Sequence, residues 1–294
     1  DDGEDWNGDI RRTVSKHDMH NIRRLAFIGG GNMAAALIGG LTKRGLPRDR
    51  IAVADPSAEQ IARLERDFGI SGAPDNASAA AGAEAVVLAV KPQQMRAVAL
   101  ALAPHLAASK PLIISVAAGI PHAALARWFG PGVPVVRTMP NRPALNGFGA
   151  TGLYAPAGVG AAHRALAESI MAAVSATVWV EHESQMDTVT ALSGSGPAYF
   201  FLFMEALEAA AHERGLPNDI AHKLTLETAF GAAQMARQST ESLALLREQV
   251  TSKGGTTAAA LAVLDAAGLR ATVAHAVAAA DRRSAELAQE FGAP

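Results

Sequence analysis

No cysteine occurs among the 294 residues. That excludes disulfides, zinc–thiolate centres and thiol nucleophiles, and it fits a reducing compartment, so the expected location is cytoplasmic. A marked excess of either charge is also missing. The formal balance is −2, which gives no electrostatic pull toward nucleic acid or a membrane surface, and neither is expected as a partner. No apolar run reaches the ~18–20 residues of a membrane helix; the best candidate, 198–211, is interrupted by Glu205 and Glu208. The nine histidines show no His-Glu-x-x-His or other metal spacing, so no metal is expected. There is no Gly-x-Ser-x-Gly elbow, because Ser193-Gly-Ser-Gly-Pro197 matches it only superficially and opens an apolar helix. A strand-embedded Walker lysine is lacking too.

What is present is 49% hydrophobic residues over a length suited to one large or two modest domains. Residues 1–21 read as a disordered tail or tag. The first part is acidic, the stretch from Arg11 to His20 is polar without periodicity, and no apolar signal core precedes Met19, which is taken as close to the native start.

Residues 22–182 read as a dinucleotide-binding half. An apolar strand from Arg23 to Ile28 leads into Gly29, Gly30, Gly31, Asn32, Met33 and Ala34, a Gly-x-Gly-x-x-Ala turn opening a helix to Arg44. The first glycine allows a tight turn, the second lets the backbone approach a pyrophosphate, and Ala34 allows close helix–strand packing. A second strand, 51–55, ends in Asp55, 21 residues past Ala34. Asp55 either binds an adenosine ribose hydroxyl or is a turn residue ahead of Pro56, and both readings stay open. Ser57 caps a helix to Phe68. Further strands are expected at 85–90, 112–116 and 134–138, with shorter ones at 149–154 and 177–180. Alternating strands and helices imply a parallel sheet with its ligand beyond the strands' carboxyl ends. Those ends carry Asp55, Lys91-Pro92, Ala117-Ala118-Gly119 and Met139-Pro140-Asn141 besides the glycine turn. Lys91 is read as close to the cofactor rather than as a base, because Pro92 makes its turn rigid.

Residues 183–294 read as all-helical. Helices are expected at 197–214, 218–238, 241–249, 256–267 and 269–291. The stretch from Tyr199 to Met204 is apolar nearly all round and needs cover on every side, which points to a homodimer. In Val250-Thr-Ser-Lys-Gly-Gly-Thr-Thr257, Ser252, Thr256 and Thr257 surround Gly254 and Gly255 just ahead of a helix. Such a run is either a nest for a small carboxylate or a plain helix start with Thr256 or Thr257 as N-cap.

A nucleotide-binding half followed by a helical half carrying this run resembles the pyrroline-5-carboxylate reductase family. The resemblance covers roughly residues 22–290. It rests on Phe27-Ile-Gly-Gly-Gly-Asn-Met-Ala, Leu88-Ala-Val-Lys-Pro-Gln, Ser115-Val-Ala-Ala-Gly, Arg137-Thr-Met-Pro-Asn, Leu192-Ser-Gly-Ser-Gly-Pro-Ala-Tyr and the 250–257 run, in the family's order. It implies a Rossmann-type parallel sheet, an all-α dimerisation domain, and reduction of 1-pyrroline-5-carboxylate to L-proline. It also implies NADPH or NADH lying across Gly29–Ala34, near Asp55, Pro56, Ser57, Asn76, Ala89, Val90, Lys91 and Pro92, with nicotinamide toward Ala117–Gly119, Met139 and Asn141. The substrate would sit at Val250, Ser252, Gly254, Gly255, Thr256 and Thr257, with a partner's helix pair completing the pocket. Ser252 and the two glycine amides would hold the carboxylate. Thr257, the catalytic candidate, would orient the ring nitrogen. The resemblance further allows rings of dimers.

Two residues depart from the family pattern. Arg142 stands where threonine is usual, and Asp55 where a neutral residue followed by arginine is common. A 3-hydroxyacid dehydrogenase is the competing enzyme reading, but its Lys-x-x-Asn base is missing: Lys223 is followed by Leu-Thr-Leu, and Lys253 sits in a glycine loop. A nucleotide-sensing dimer leaves the 250–257 run unexplained.

Overall fold

The structure, a computed structural model, describes Met19 and residues 21–292. The tail expected before Met19 lies outside the described residues. Met19 itself, assigned to that tail, is fully buried in the core.

The chain runs β1 (Leu25–Ile28), α1 (Asn32–Lys43), β2 (Ile51–Ala54), α2 (Ala58–Phe68), β3 (Ser71–Gly72), α3 (Asn76–Ala80), β4 (Ala85–Leu88), α4 (Pro92–Leu106), β5 (Leu112–Ser115), α5 (His122–Phe129) and β6 (Val135–Pro140). A short 3₁₀ turn (Arg142–Asn146) leads to β7 (Gly149–Tyr154), α6 (Ala161–Met171), β8 (Ser175–Trp179), α7 (Gln185–Val189) and a π-turn (Thr190–Gly194). The helices α8 (Gly196–Glu213), α9 (Asn218–Gln238), α10 (Leu243–Gln249), α11 (Thr256–Ala266) and α12 (Leu269–Phe291) follow.

One eight-stranded sheet forms in the order β3-β2-β1-β4-β5-β6-β7-β8. It is parallel as far as β6; β7 then pairs antiparallel with β6, and β8 parallel with β7. The sheet is parallel-dominated, as expected, and its far edge is mixed. The connection between β6 and β7 is too short for a crossover, so the chain can only double back. The strands β1, β2, β4 and β5 are buried throughout, which is why they read as unbroken apolar runs. Their alternate side chains build two core layers. Leu25, Phe27, Val53 and Val87 pack with Leu37, Ile38 and Leu41 of α1 and Ile170 of α6. Ala26, Ile28, Val86 and Ile113 pack with Met95 and Leu102 of α4 and Leu125 of α5.

Two compact units result. One runs to Ser195 and takes up the chain again from Ala280; the other is Gly196–Ala279. In the first, the end of α12 is tied to α7, where Thr188 donates to Asp281 (2.8 Å) and Ser284 to Asp187 (2.7 Å). Leu287 and Phe291 cover Gly119. The second unit packs α8 on α9 and pairs His222 with Glu208 at 2.7 Å. Phe200, Phe201 and Leu202 of α8 are nonetheless 70%, 64% and 67% exposed.

A charged cluster fixes the sheet end of the first unit. Arg137 on β6 is 4% exposed, and its Nη1 lies 3.0 Å from Glu183 Oε1. The same oxygen accepts the backbone N–H of His122 at 2.6 Å. Glu183→Ala strands the buried guanidinium, and we expect a loss of about 2–4 kcal/mol in urea unfolding, less than for a fully buried pair because Glu183 keeps some solvent. Unchanged stability would show that Arg137 finds another partner. Burial holds the His122 imidazole below its usual range near 6.5, although Glu183 pulls the other way. As pH falls through 6.5 the unfolded histidine takes up a proton that the folded one refuses, so stability falls toward acid. Urea unfolding between pH 7.5 and 5.5 should show a shallower decline in His122→Gln; equal slopes would contradict this.

Candidate active site

Parallel pairing brings the ends of β1, β2, β4, β5 and β6 to one edge of the sheet, and the strand order reverses between β1 and β4. A crevice opens there. Gly29 has φ +97°, and a Cβ on it would lie 2.6 Å from the Ala89 carbonyl oxygen. Only glycine fits this close approach of two strand ends. Among the described residues nothing lies within 4 Å of the Cβ position at Gly31, and this residue is the N-cap of α1 without a side-chain cap. The first amides of α1 therefore face open space, as a pyrophosphate requires.

Asp55 sits at the centre of this turn. Its carboxylate accepts N–H bonds from Gly30 (2.7 Å) and Ser57 (2.8 Å). Ser57 caps α2 as expected, accepting from the Gln60 amide. Arg63 of α2 donates to the Gly30 carbonyl (3.3 Å) and the Asn32 side chain (3.5 Å). A cavity of about 550 Å³ adjoins the turn, and its walls include Gly29, Asp55, Pro56, Asn76 and Val90. Asp75, Gln93, Gln94 and Val98 also line it; sequence reading passed over them. Arg63 was missed as well, since no local pattern marks a residue whose partners lie over 30 positions away. Asp75 had a visible signal as the N-cap of α3, accepting from Ser78. That bond holds its carboxyl below the usual range.

The remaining cofactor candidates are placed differently. Lys91 is an exposed residue that opens α4 and is not among those lining the cavity. Pro92 is the first residue of α4, and Ala89 is half-buried behind Gly29. Ala117 and Gly119 are buried, with Ala118 half-exposed between them. Asn141 is 8% exposed and turned inward. Its Nδ2 donates to the Ser193 carbonyl and its Oδ1 accepts from the Ala150 amide, both at 2.9 Å. Asn141 thereby ties the π-turn to β7, and Met139 lies against Gly194 of the same turn.

In the second unit the 250–257 run forms a loop between α10 and α11. Gly254 has φ +71°. The Gly255 N–H donates to the Ser252 carbonyl at 3.0 Å, which closes the turn. A side chain at Gly255 would collide with the Ser252 hydroxyl. Two expectations change. Gly255 is the N-cap of α11, with no side-chain cap from Thr256 or Thr257. Because the Gly255 amide is spent inside the turn, the amides left to face an anion are those of Gly254 and of the first helical residues, Thr256 and Thr257. Ser252 and Thr256 are exposed, Thr257 is half-buried, and Val250 is 56% exposed.

A glycine turn at a strand end and a hydroxyl-rich glycine loop ahead of a helix thus sit on one chain. Residues 183–287 match the family described as pyrroline-5-carboxylate reductase dimerisation. The pyrroline-5-carboxylate reductase of Pseudomonas aeruginosa is 52% identical over 269 residues, covering 92% of this chain and 98% of that one. The chain belongs to the pyrroline-5-carboxylate reductase family.

Other members agree. The Haemophilus influenzae reductase is 44% identical over 91% of this chain and 98% of its own. The solved reductase from Coxiella burnetii superposes with a TM-score of 0.88 at 43% identity, covering 91% of this chain and 99% of that one. A Plasmodium falciparum pyrroline carboxylate reductase, solved with NADP bound, gives 0.80 at 29% identity over 92% and 99%. Residues 24–119, which hold the glycine turn and Asp55, match the family described as NADP oxidoreductase, coenzyme F420-dependent. The two matched segments are residues 24–119, which span β1 to β5, and residues 183–287, which span α7 and most of α12.

Proposed function

We infer that this chain is a pyrroline-5-carboxylate reductase, reducing the cyclic imine 1-pyrroline-5-carboxylate to L-proline with NAD(P)H. The 52% identity over nearly the whole chain carries this reading. The residues fit the cofactor: the open space over Gly31 and the uncapped start of α1 suit a pyrophosphate. When bound, the dinucleotide supplies the hydride. The chain's own residues need only position the acceptor, because a protonated imine is already electrophilic. Hydride adds at ring C5, the C=N pair moves to nitrogen, and the iminium proton stays as the N–H of proline.

In this proposal the Ser252 hydroxyl, with the Thr256 and Thr257 amides, holds the substrate carboxylate. Gly254 and Gly255 shape the turn, and Val250 lies against the ring. The Thr257 hydroxyl orients the ring nitrogen; a neutral hydroxyl is a poor acid. On the cofactor side, Gly29 to Ala34 face the phosphates, while Pro56, Asn76 and Val90 border the adenosine. Ala117–Gly119 and Met139 border the nicotinamide.

The proposed working unit is a cytoplasmic homodimer built through residues 183–294, with rings of dimers as the further assembly. Leaving Phe200, Phe201 and Leu202 in water forgoes about 1.5–3 kcal/mol each, and a second copy of the helical half would cover them. Light scattering should give twice the chain mass. The activity is tested by adding substrate to purified protein with NADH or NADPH: oxidation should follow pyrroline-5-carboxylate and not 3-oxo acids, and the reverse would favour a hydroxyacid dehydrogenase.

A further inference from the structure

We propose that Asp55 makes this reductase select NADH over NADPH, an inference that rests on the reading of the chain as a dinucleotide-dependent reductase. The two cofactors differ only at the adenosine 2′ position, a hydroxyl in one and a phosphate of about −1.5 to −2 charge in the other. That position belongs at the end of β2, where Asp55 stands.

A 2′-phosphate needs donors there, and two of the local amides are already committed to the Asp55 carboxylate. The Ser57 amide, at the start of the turn, donates to Asp55 Oδ1 at 2.8 Å, and the Gly30 amide to Oδ2 at 2.7 Å. The adjoining cavity is lined by a second carboxylate, Asp75, and by no lysine or arginine among the described residues. The nearby cation, Arg63, directs Nη1 and Nη2 onto Asn32 and the Gly30 carbonyl. Its charge therefore serves the glycine turn, beside the pyrophosphate that both cofactors share. A ribose diol meets the opposite situation, since each Asp55 oxygen keeps a lone pair able to accept a hydroxyl proton. The arrangement welcomes the neutral group and repels the dianion, which is discrimination by an unfavourable contact with the wrong ligand.

The test has two readouts. Fluorescence titration of NADH and of NADPH, without substrate, gives both dissociation constants, and steady-state rates with pyrroline-5-carboxylate give kcat/KM for each. The wild-type protein should favour NADH by at least about ten-fold in both. Asp55→Asn keeps an acceptor for the turn but removes the charge, and Asp55→Ser removes charge and bulk. In each variant the NADPH-to-NADH ratio should rise by about ten-fold or more. Wild-type preference for NADPH overturns the proposal, and so does an NADH preference that neither variant changes. If dinucleotides bind but pyrroline-5-carboxylate is never reduced, the activity reading fails while the titrations still decide the role of Asp55.

Discussion

Thr257→Ala should lower turnover by about 10- to 100-fold, as expected for one transition-state hydrogen bond worth about 1.5–3 kcal/mol. The loss should fall on kcat more than on KM, because Ser252 and the helix amides still hold the carboxylate. The residue is the second of α11, which has Gly255 as N-cap and no side chain closing the helix end, so its hydroxyl is not needed to hold the local backbone. Thr257→Ser retains the hydroxyl and should keep most of the activity. Steady-state kinetics at saturating cofactor checks both variants. Unchanged turnover in Thr257→Ala would remove this hydroxyl from the mechanism.

Gly29→Ala should weaken dinucleotide binding by about 10- to 100-fold, or about 1.4–2.8 kcal/mol. Two effects add. A side chain at φ +97° is strained, and its Cβ would press to 2.6 Å from the Ala89 carbonyl oxygen. That oxygen belongs to backbone following a buried strand and cannot swing away, so the turn must shift, carrying Gly30 from Asp55. Gly31→Ala is the control, because its Cβ position is open; any loss there reports contact with the cofactor and not a displaced turn. Fluorescence titration of the dinucleotide separates the two. Equal affinity in Gly29→Ala and wild type would mean that the turn is not the phosphate site.

Much of this was legible in the sequence. The strands β1, β2, β4 and β5 are covered on both faces and so appear as apolar runs, and Gly29 with Ala34 marks the turn after the first of them. The reversal at β7 could have been read from the shortness of residues 141–148. The eight-residue α5 and the two-residue β3 were missed because each is too short to show a period. The detailed chemistry of the site was less accessible. Asp55 read equally as a ribose ligand or a turn residue, and Asn141 as a residue on the nicotinamide side. The partners they hold within the chain, Gly30 at 25 positions and Ser193 at 52, are set by the sheet order, which no local pattern encodes. The 250–257 loop shows the same limit. Its glycines left an anion nest and a plain helix start both open, and only the backbone shows that the Gly255 amide closes the turn.

The most direct test of the central claim follows the hydride. With dinucleotide deuterated at the transferable nicotinamide C4 position and pyrroline-5-carboxylate as acceptor, mass spectrometry and NMR of the product should show L-proline carrying one deuterium at C5. Oxidised dinucleotide without deuterium in proline, or deuterium at any other carbon, would contradict reduction of the cyclic imine by this protein.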